Sequence, residues 1–423
     1  MEELSTTKVK SEIESASSRF RLRTFSSLRH RDFRYLWTGT LLMSAGQWIQ
    51  QLTLGWLLYD ITGSSVLLGA LNGLRALPFL VSSPIAGVAA DRMDRRGLML
   101  KTQYVLVATA IIMGTLVASR LVQVWHLFLF TLITGIAWSF NEPVRQSLVP
   151  NVVPKNDLIN AVALNSAGFN LNKVFGPALG GLLIAAFGPA GNFFVQSVAY
   201  AGVLMTIHSM RVPPTPVEAR RSSVLANLKE GLSYVWSTPT VLALMAADMV
   251  PRIFAVPYQA LMPVFQKDVL GVGPEGLGML MAAPGVGAVL ATLLLASIAH
   301  SFRRKGLLIL GGLIALGIFL IIFSRTTSFP LAIAALVAVG GCQVMFMATT
   351  NTMVQIIVPD ALRGRVMSLY MLDRGFMPAG SMLAGVTAHF IGAPATVSFM
   401  GLIVIILAVL LAWRVPIIRR MQT

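Results

Sequence analysis

The feature that most constrains this chain is a series of long apolar runs separated by short polar turns. A bilayer-spanning helix requires about 20 predominantly apolar residues, and the runs are of that length. Of the 423 residues, 55% are hydrophobic and 12% charged, and the mean hydropathy is +0.73. The surface of a soluble globular domain does not tolerate these values. Because lone strands cannot satisfy their backbone hydrogen bonds in lipid, the sequence predicts an all-α membrane protein.

About twelve such runs are present, each near the length that a bilayer requires. The longest interruption begins at Arg211, contains a cluster of prolines and ends near residue 240, which divides the runs six and six. The predicted spans are 35–59, 66–90, 98–119, 124–149, 160–187, 191–210, 241–266, 275–299, 306–324, 329–357, 366–389 and 395–413. The expected organisation is a cytoplasmic tail (1–34), a six-helix bundle (35–210), a cytoplasmic linker (211–240), a second six-helix bundle (241–413) and a cytoplasmic tail (414–423).

The distribution of basic residues predicts the orientation. Most of the 33 Lys and Arg lie in the tails and in alternate turns, whereas the turns on the other side contain Arg120, Lys267 and Arg325. Basic loops stay on the cytoplasmic side of a membrane. Both termini are therefore expected in the cytoplasm, and the first run is too long to be the core of a cleaved signal.

The linker contains a candidate amphipathic helix. Leu225, Leu228, Leu232 and Val235 recur at helical spacing, opposite Lys229 and Glu230. Such a helix is expected to lie on the inner face of the membrane, as a plain connection between the two groups of spans.

A weak internal repeat relates the two groups of spans. Residues 146–150 read Gln-Ser-Leu-Val-Pro and residues 355–359 read Gln-Ile-Ile-Val-Pro, a shift of 209 residues (359 minus 150). The same shift brings the start of the first span close to the start of the seventh. The pattern predicts a duplication of six-helix halves about an axis along the membrane normal.

Charged residues within spans are the strongest functional signal, because each costs about 2.5–3.5 kcal/mol at the centre of a lipid-facing helix. They must face protein or water. Arg75 and Lys173, with polar residues on neighbouring spans, form a candidate substrate cavity, although amides also bridge helices without touching substrate. A free cation there favours an anionic or catechol-like substrate. The predicted cavity set is Gln47, Gln51, Arg75, Asn141, Lys173 and Tyr258.

The turn after the second span is densely charged and has a distinctive pattern. Gly87 is followed by Asp91 and Arg92, and then by Arg95 and Arg96. A basic turn fixes topology in any membrane protein, but Gly87 and Asp91 add nothing to topology. The turn therefore indicates a gating element as well.

This turn resembles a motif of the major facilitator superfamily. That motif has a second glycine at the position that Asp94 occupies in this sequence. The chain is similar to the exporter branch that includes the enterobactin exporter, or transmembrane secretion effector, and the macrolide efflux proteins. Gly176, Pro177, Gly180 and Gly181 in the fifth span resemble the tail of the antiporter motif. Residues 148–150, 160–166, 257–261 and 363–368 also resemble this branch. The resemblance covers nearly the whole chain after the N-terminal tail.

The resemblance implies a gate at the charged turn. Asp91 would meet the N-terminus of the eleventh span, whose helix dipole attracts a carboxylate. Arg95 or Arg96 would reach Glu142 in the fourth span. The predicted gating set is Gly87, Asp91, Arg92, Arg95, Arg96, Glu142 and Arg145.

Two pairs of opposite charges are candidates for proton coupling. Asp248 and Arg252 lie four residues apart on one face of a helix and can pair. Spans seven and eleven are neighbours in transporters of this kind, so Asp373 and Arg374 are expected nearby. An Asp that loses its Arg takes up a proton more readily. A permanent structural ion pair is the alternative.

Other classes of protein fit less well. The five histidines are dispersed, no nucleophile or metal motif occurs, and no phosphate-binding loop suggests ATP drive. We expect no cofactor, no metal, no nucleic acid and a monomer in the plasma membrane (the bacterial inner membrane). The prediction is a proton-coupled exporter of a siderophore or an amphipathic drug-like compound. Uptake, facilitated diffusion and a membrane-embedded enzyme are the alternatives.

Overall fold

The computed structural model describes residues 25–75, 77–78, 94–211, 224–298 and 304–420. Within these residues every regular element is a helix. The helices are α1 (Arg31–Thr62), α2 (65–75 and 77–78), α3 (Arg95–Ala118), α4 (Val124–Val152), α5 (Leu158–Ser209), α6 (Val224–Ser237), α7 (Pro239–Phe254), α8 (Pro274–Ile298), α9 (Lys305–Arg325), α10 (Phe329–Ile357), α11 (Asp360–Leu372), α12 (Met377–Ile391), α13 (Ala393–Arg414) and α14 (Pro416–Arg420).

The helix ends follow from local sequence. Gly63 ends α1 in the left-handed conformation at φ 59°, and its N–H bonds to the Tyr59 carbonyl. Asp94 caps α3, because its carboxylate accepts hydrogen bonds from the N–H groups of Arg96 and Gly97. The residue that departs from the expected glycine in the charged turn therefore begins the third helix.

The predicted spans largely coincide with helical residues, the second described only as far as residue 78 and the eighth only as far as residue 298, but two boundaries differ. Spans five and six form one helix, α5, which is kinked where Gly188 adopts φ 68°. The eleventh span is interrupted, since 3-10 helix Asp373–Phe376 separates α11 from α12. Eight helical stretches of the described residues are long and apolar enough to cross a membrane.

The seventh predicted span is irregular in its second half. After α7 the chain continues as a 3-10 helix (Val256–Leu261), a single α-turn and a π-helix (Phe265–Val269). Prolines at 257 and 263 explain the change, because proline has no N–H to donate in a regular helix.

The helices pack mainly within two parts of the chain. Before residue 212, α5 packs along α1 and α3, and α3 also contacts α4. After residue 223, α10 packs against α8 and α9, and α13 packs against α9, α7 and α12. The α5–α8 contact joins the two parts.

Helix α6 forms where the amphipathic helix is predicted. It packs against α11, and Glu230 forms an ion pair with Arg365. Val235 is buried, whereas Leu232 is 48% and Trp236 67% exposed. The side chains of Leu225 and Leu228 lie outside the described residues.

Candidate functional site

Two close helix crossings join the N-terminal and C-terminal parts at one end of the molecule, which we call the crossing end. In the first, a Cβ placed on Gly69 of α2 would lie 2.6 Å from the Ser381 carbonyl oxygen of α12. In the second, a Cβ placed on Gly278 of α8 would lie 2.7 Å from the Pro177 carbonyl oxygen of α5. Both distances are too short for a real Cβ, so these positions require glycine.

On one side the two crossings are related by the shift seen in the sequence, and on the facing side Gly181 and Gly385 are 204 residues apart (385 minus 181). Gly278 lies 209 residues after Gly69, as Asp268 does after Tyr59. The facing glycines are packed equally closely. A Cβ on Gly385 would lie 2.5 Å from the Ser65 carbonyl oxygen, and a Cβ on Gly181 would lie 2.5 Å from the Pro274 carbonyl oxygen. The repeat therefore relates atomic contacts as well as sequence.

Side chains also link the two parts at the crossing end. The Tyr59 hydroxyl donates to the Asp268 carboxylate. Lys267 Nζ lies 3.0 Å from Asp60 Oδ1, and Ser65 Oγ donates to the Gly385 carbonyl oxygen at 3.0 Å. The sequence analysis missed these contacts. The signal was present, because the 209-residue shift aligns the ends of the first and seventh spans.

A polar cavity lies between α1, α2 and α4, and together with the open space at its mouth it has an empty volume of about 520 Å³. It contains three of the predicted residues, namely Gln47, Gln51 and Arg75. At 1.5 Å per residue, Arg75 lies about 15 Å along α2 from its first residue, so the cavity is deep in the helical layer. The lining residues are Gln47, Gln50, Gln51, Leu54, Gly55, Leu71, Asn72, Arg75, Thr131, Thr134, Gly135 and Trp138.

A buried hydrogen-bond network fixes one wall of this cavity. The Gln50 amide donates to Thr134 Oγ1 at 3.1 Å and accepts from the Gln196 amide at 2.5 Å. Gln196 also donates to the Tyr200 hydroxyl at 3.0 Å. Sequence reasoning missed Gln196 and Tyr200. The signal for them in the sequence is a pair of polar residues, four positions apart, within an apolar span.

Three predicted cavity residues lie elsewhere. Asn141 is buried and donates to Thr102 Oγ1 at 2.9 Å, because its face of α4 packs on α3. Tyr258 is 1% exposed and packs edge-on against Phe323 at 6.2 Å between ring centroids. Lys173 lines a different cavity, between α5, α8 and α10.

The predicted packing glycines face two partners. A Cβ on Gly176 would lie 2.6 Å from Trp48 Cβ, and one on Gly180 would lie 3.4 Å from Ile49 Cα. Gly176 and Gly180 thus allow α5 to approach α1. Pro177 and Gly181 instead form the crossing with α8.

An ion pair lies inside the C-terminal part. Arg252 Nη2 is 2.7 Å from Asp248 Oδ2, and Asp248 is fully buried. The other carboxylate oxygen, Oδ1, has no hydrogen-bond partner among the described residues. The backbone of Asp373 and Arg374 lies in the 3-10 helix that contacts α7, while their side chains lie outside the described residues.

The charged turn is described only in part. Gly87, Asp91 and Arg92 lie outside the described residues. Arg96 donates to the His208 carbonyl oxygen at 2.8 Å, and Glu142 accepts from the Gln146 amide. The predicted contact between Arg95 and Glu142 stays a prediction.

The other predicted gating residues have different surroundings. Arg145 is buried and donates to the Leu36 carbonyl oxygen at 3.1 Å and to Thr40 Oγ1 at 3.2 Å, so it connects α4 with α1. Arg95 begins α3 beside Arg96 and has a contact of its own.

Sequence relatives are transporters. The chain is 26% identical to the staphyloferrin A transporter of Staphylococcus aureus over 87% of this chain and 92% of that protein. It is also 26% identical to the multidrug efflux pump Tap of Mycolicibacterium fortuitum, with the same coverage of both chains. Macrolide efflux protein A of Streptococcus pyogenes is 22% identical, over 89% of this chain and 94% of the relative.

Solved structures show the same fold. A bacterial homologue of the human lysosomal transporter Spinster matches with a TM-score of 0.74 and 15% identity, over 92% of this chain and 98% of the other. The nucleoside transporter NupG matches with a TM-score of 0.75 and 11% identity, over 91% and 100%. The sequence model of the transmembrane secretion effector family matches residues 22–422. The chain therefore belongs to the transmembrane secretion effector family, within the exporter branch of the major facilitator superfamily, and is a multi-pass membrane transporter and not an enzyme.

Proposed function

We propose that the protein is a proton-coupled exporter of a small organic molecule and works by alternating access. Twelve spans form two six-helix bundles, 35–210 and 241–413, joined by the linker 211–240. Both termini are cytoplasmic, so the crossing end faces the outside of the plasma membrane. The transporter acts as a monomer.

The contacts at the crossing end carry this proposal. Two glycine crossings and the Tyr59–Asp268 and Asp60–Lys267 contacts hold the halves together there. With the termini inside, this is the state that is closed to the outside. Cargo then enters the cavity from the cytoplasm, which is the loading state of an exporter.

The class of cargo follows from the relatives. One is named a staphyloferrin A transporter, one a multidrug efflux pump and one a macrolide efflux protein. Two of these names describe efflux and the third describes transport of an organic molecule. A siderophore or an amphipathic drug-like compound is therefore the proposed cargo here.

The buried Asp248–Arg252 pair is the proposed coupling site. Asp248 has one carboxylate oxygen bonded to Arg252 and one without a described partner. A charge with half of its hydrogen-bonding capacity unmet in a dry interior is costly. If the conformational change turns the Arg252 side chain away from Asp248, protonation relieves the cost, and the proton is released when the pair reforms.

The test uses purified protein in liposomes with an imposed pH gradient. A macrolide and staphyloferrin A serve as probes, and an enclosed pH-sensitive dye reports proton movement. Asp248→Asn is expected to abolish gradient-driven transport while the protein remains folded in the membrane. Asp360→Asn is the matched control, because the Asp360 side chain is 87% exposed and pairs with nearby Arg363.

Three outcomes would contradict parts of the proposal. Cargo movement without proton flux would identify facilitated diffusion. Movement of cargo with the protons, in the same direction, would identify uptake. Unchanged transport by Asp248→Asn would exclude Asp248 from coupling.

A further inference from the structure

We propose that the cavity between α1, α2 and α4 is an organic-acid site, in which Arg75 binds a carboxylate and the apolar wall holds the body of the molecule. The inference rests on the proposed export function, since it specifies the cargo of the same transporter. It goes beyond that function because it assigns the recognition chemistry to particular side chains.

Arg75 is a cation on the wall of the cavity. Among the described residues it has no hydrogen bond and no ion pair. No described residue that lines this cavity is Asp or Glu. Structural arginines within a membrane pair with carboxylates or backbone carbonyls, as Arg145 and Arg252 do here. Arg75 therefore has its donors available for a ligand.

The amides beside Arg75 complete the polar side of the site. Gln47 and Gln51 line the cavity and make no hydrogen bond to any residue that the structure describes. Gln50, in contrast, is held by Thr134 and Gln196. The free amides supply further donors, and the planar guanidinium matches a carboxylate with two parallel hydrogen bonds.

The rest of the described lining is largely apolar and closely built. Leu54, Leu71 and Trp138 belong to it, and a Cβ on Gly135 would lie 2.8 Å from Pro78 Cγ. Gly135 thus lets α4 approach α2 next to Arg75. A few polar groups among aromatic and aliphatic side chains are the usual arrangement of a small-molecule site. The occupant that fits is an aromatic or aliphatic acid.

Binding of matched probes tests the inference without any gradient. The full-length protein in nanodiscs is titrated by equilibrium dialysis with 1-naphthoate and with 1-naphthamide, which have nearly the same shape and differ in charge. We expect naphthoate to bind at least about 10-fold more tightly, because hydrogen bonds to a charged group are the stronger ones. Equal binding of the two probes by the wild-type protein would overturn the proposal.

Variants of Arg75 identify the group responsible. Arg75→Gln is expected to weaken naphthoate binding by about 10- to 100-fold and to leave naphthamide binding unchanged. Arg75→Lys retains the charge but not the planar pair of donors of the guanidinium. Its affinity for naphthoate is therefore expected to lie between those of the wild-type protein and Arg75→Gln. Arg325→Gln is the matched control, because Arg325 is exposed and bonds to Ser398 at 2.9 Å, away from the cavity. An undiminished preference for naphthoate in Arg75→Gln would exclude Arg75 as the anion site.

The readouts separate this inference from the function on which it rests. A thermal melt checks folding of Arg75→Gln, which should melt no lower than wild type because it loses an unpaired charge; if it does not fold, the wild-type probe ratio still decides. Loss of the naphthoate preference with intact macrolide export would overturn the site alone. A retained preference without any transport would overturn the exporter alone.

Discussion

Gln50 shows how one side chain connects the cavity to the helix packing behind it. Its amide lines the cavity and is fixed at both ends, by Thr134 on α4 and by Gln196 on α5. A buried amide that loses its hydrogen-bond partner stays desolvated without a compensating hydrogen bond, which destabilises the folded protein. Gln196 therefore acts as a positioning residue, which sets the orientation of Gln50 without reaching the cavity.

Replacing Gln196 should destabilise the protein. Gln196→Leu leaves the Gln50 carbonyl and the Tyr200 hydroxyl buried without this partner, which should cost about 1–3 kcal/mol of stability. Thermal unfolding in nanodiscs measures the change. Gln146→Leu is the matched control, since Gln146 is exposed and should shift stability by less than about 0.5 kcal/mol. Equal melting of the two variants would show that the network is not stabilising.

The α5–α8 and α2–α12 crossings depend on glycine more than on charge. The Asp60–Lys267 pair is 48% exposed on both sides, and exposed ion pairs contribute only about 0–1 kcal/mol. A side chain at Gly278, in contrast, would overlap the backbone of α5 and force the helices apart. We therefore expect the crossings to determine whether this end closes.

A larger residue at Gly278 should keep the crossing end open. Gly278→Val is combined with Gln51→Cys in a Cys342→Ser background, which removes the single native cysteine. Labelling of Gln51→Cys in whole cells by an impermeant thiol reagent should become several-fold faster, because the cavity opens outward. Gly311→Val is the control, since a Cβ there meets nothing within 4 Å. An unchanged labelling rate would mean that the crossing does not control access.

Local patterns in the sequence predicted local contacts well. The spacing of four residues predicted the pairing of Asp248 with Arg252, and the glycine motif predicted close packing of α5. The sequence did not predict that Asn141 faces α3, that Arg96 bonds to His208, or that Lys173 lies in a separate cavity. These depend on helix rotation and on contacts between residues far apart in the chain, which hydropathy alone does not specify.

At the scale of the whole molecule, paired contacts join the two described parts of the transporter at the crossing end. The proposed alternating access requires these contacts to separate in every cycle. Asp60 and Lys267 form one of the contacts between the two parts, since they are 207 residues apart in sequence and 3.0 Å apart in space. Restraining this one pair should therefore stop the cycle without touching the cavity.

Cross-linking across the crossing end should block transport reversibly. Asp60→Cys with Lys267→Cys, in the Cys342→Ser background, is treated in proteoliposomes with a short bis-methanethiosulfonate reagent. Macrolide transport should fall to background and return on reduction. His30→Cys with Asp157→Cys is the control, because these residues lie 2.8 Å apart within the N-terminal part. Full transport by the cross-linked 60–267 protein would contradict alternating access at this end.

The equivalence of the two crossings has a consequence for how such a chain arose. The N-terminal part alone contains both kinds of partner, Gly69 and Gly181, whose counterparts across the contact are Gly385 and Gly278. Two copies of a half-length ancestor would thus meet through identical surface patches. The Gly69 equivalent of one copy would contact the Gly181 equivalent of the other copy, and the reverse. That is the isologous contact of a two-fold homodimer. Gene fusion would then preserve, inside one polypeptide, an interface first made between separate subunits.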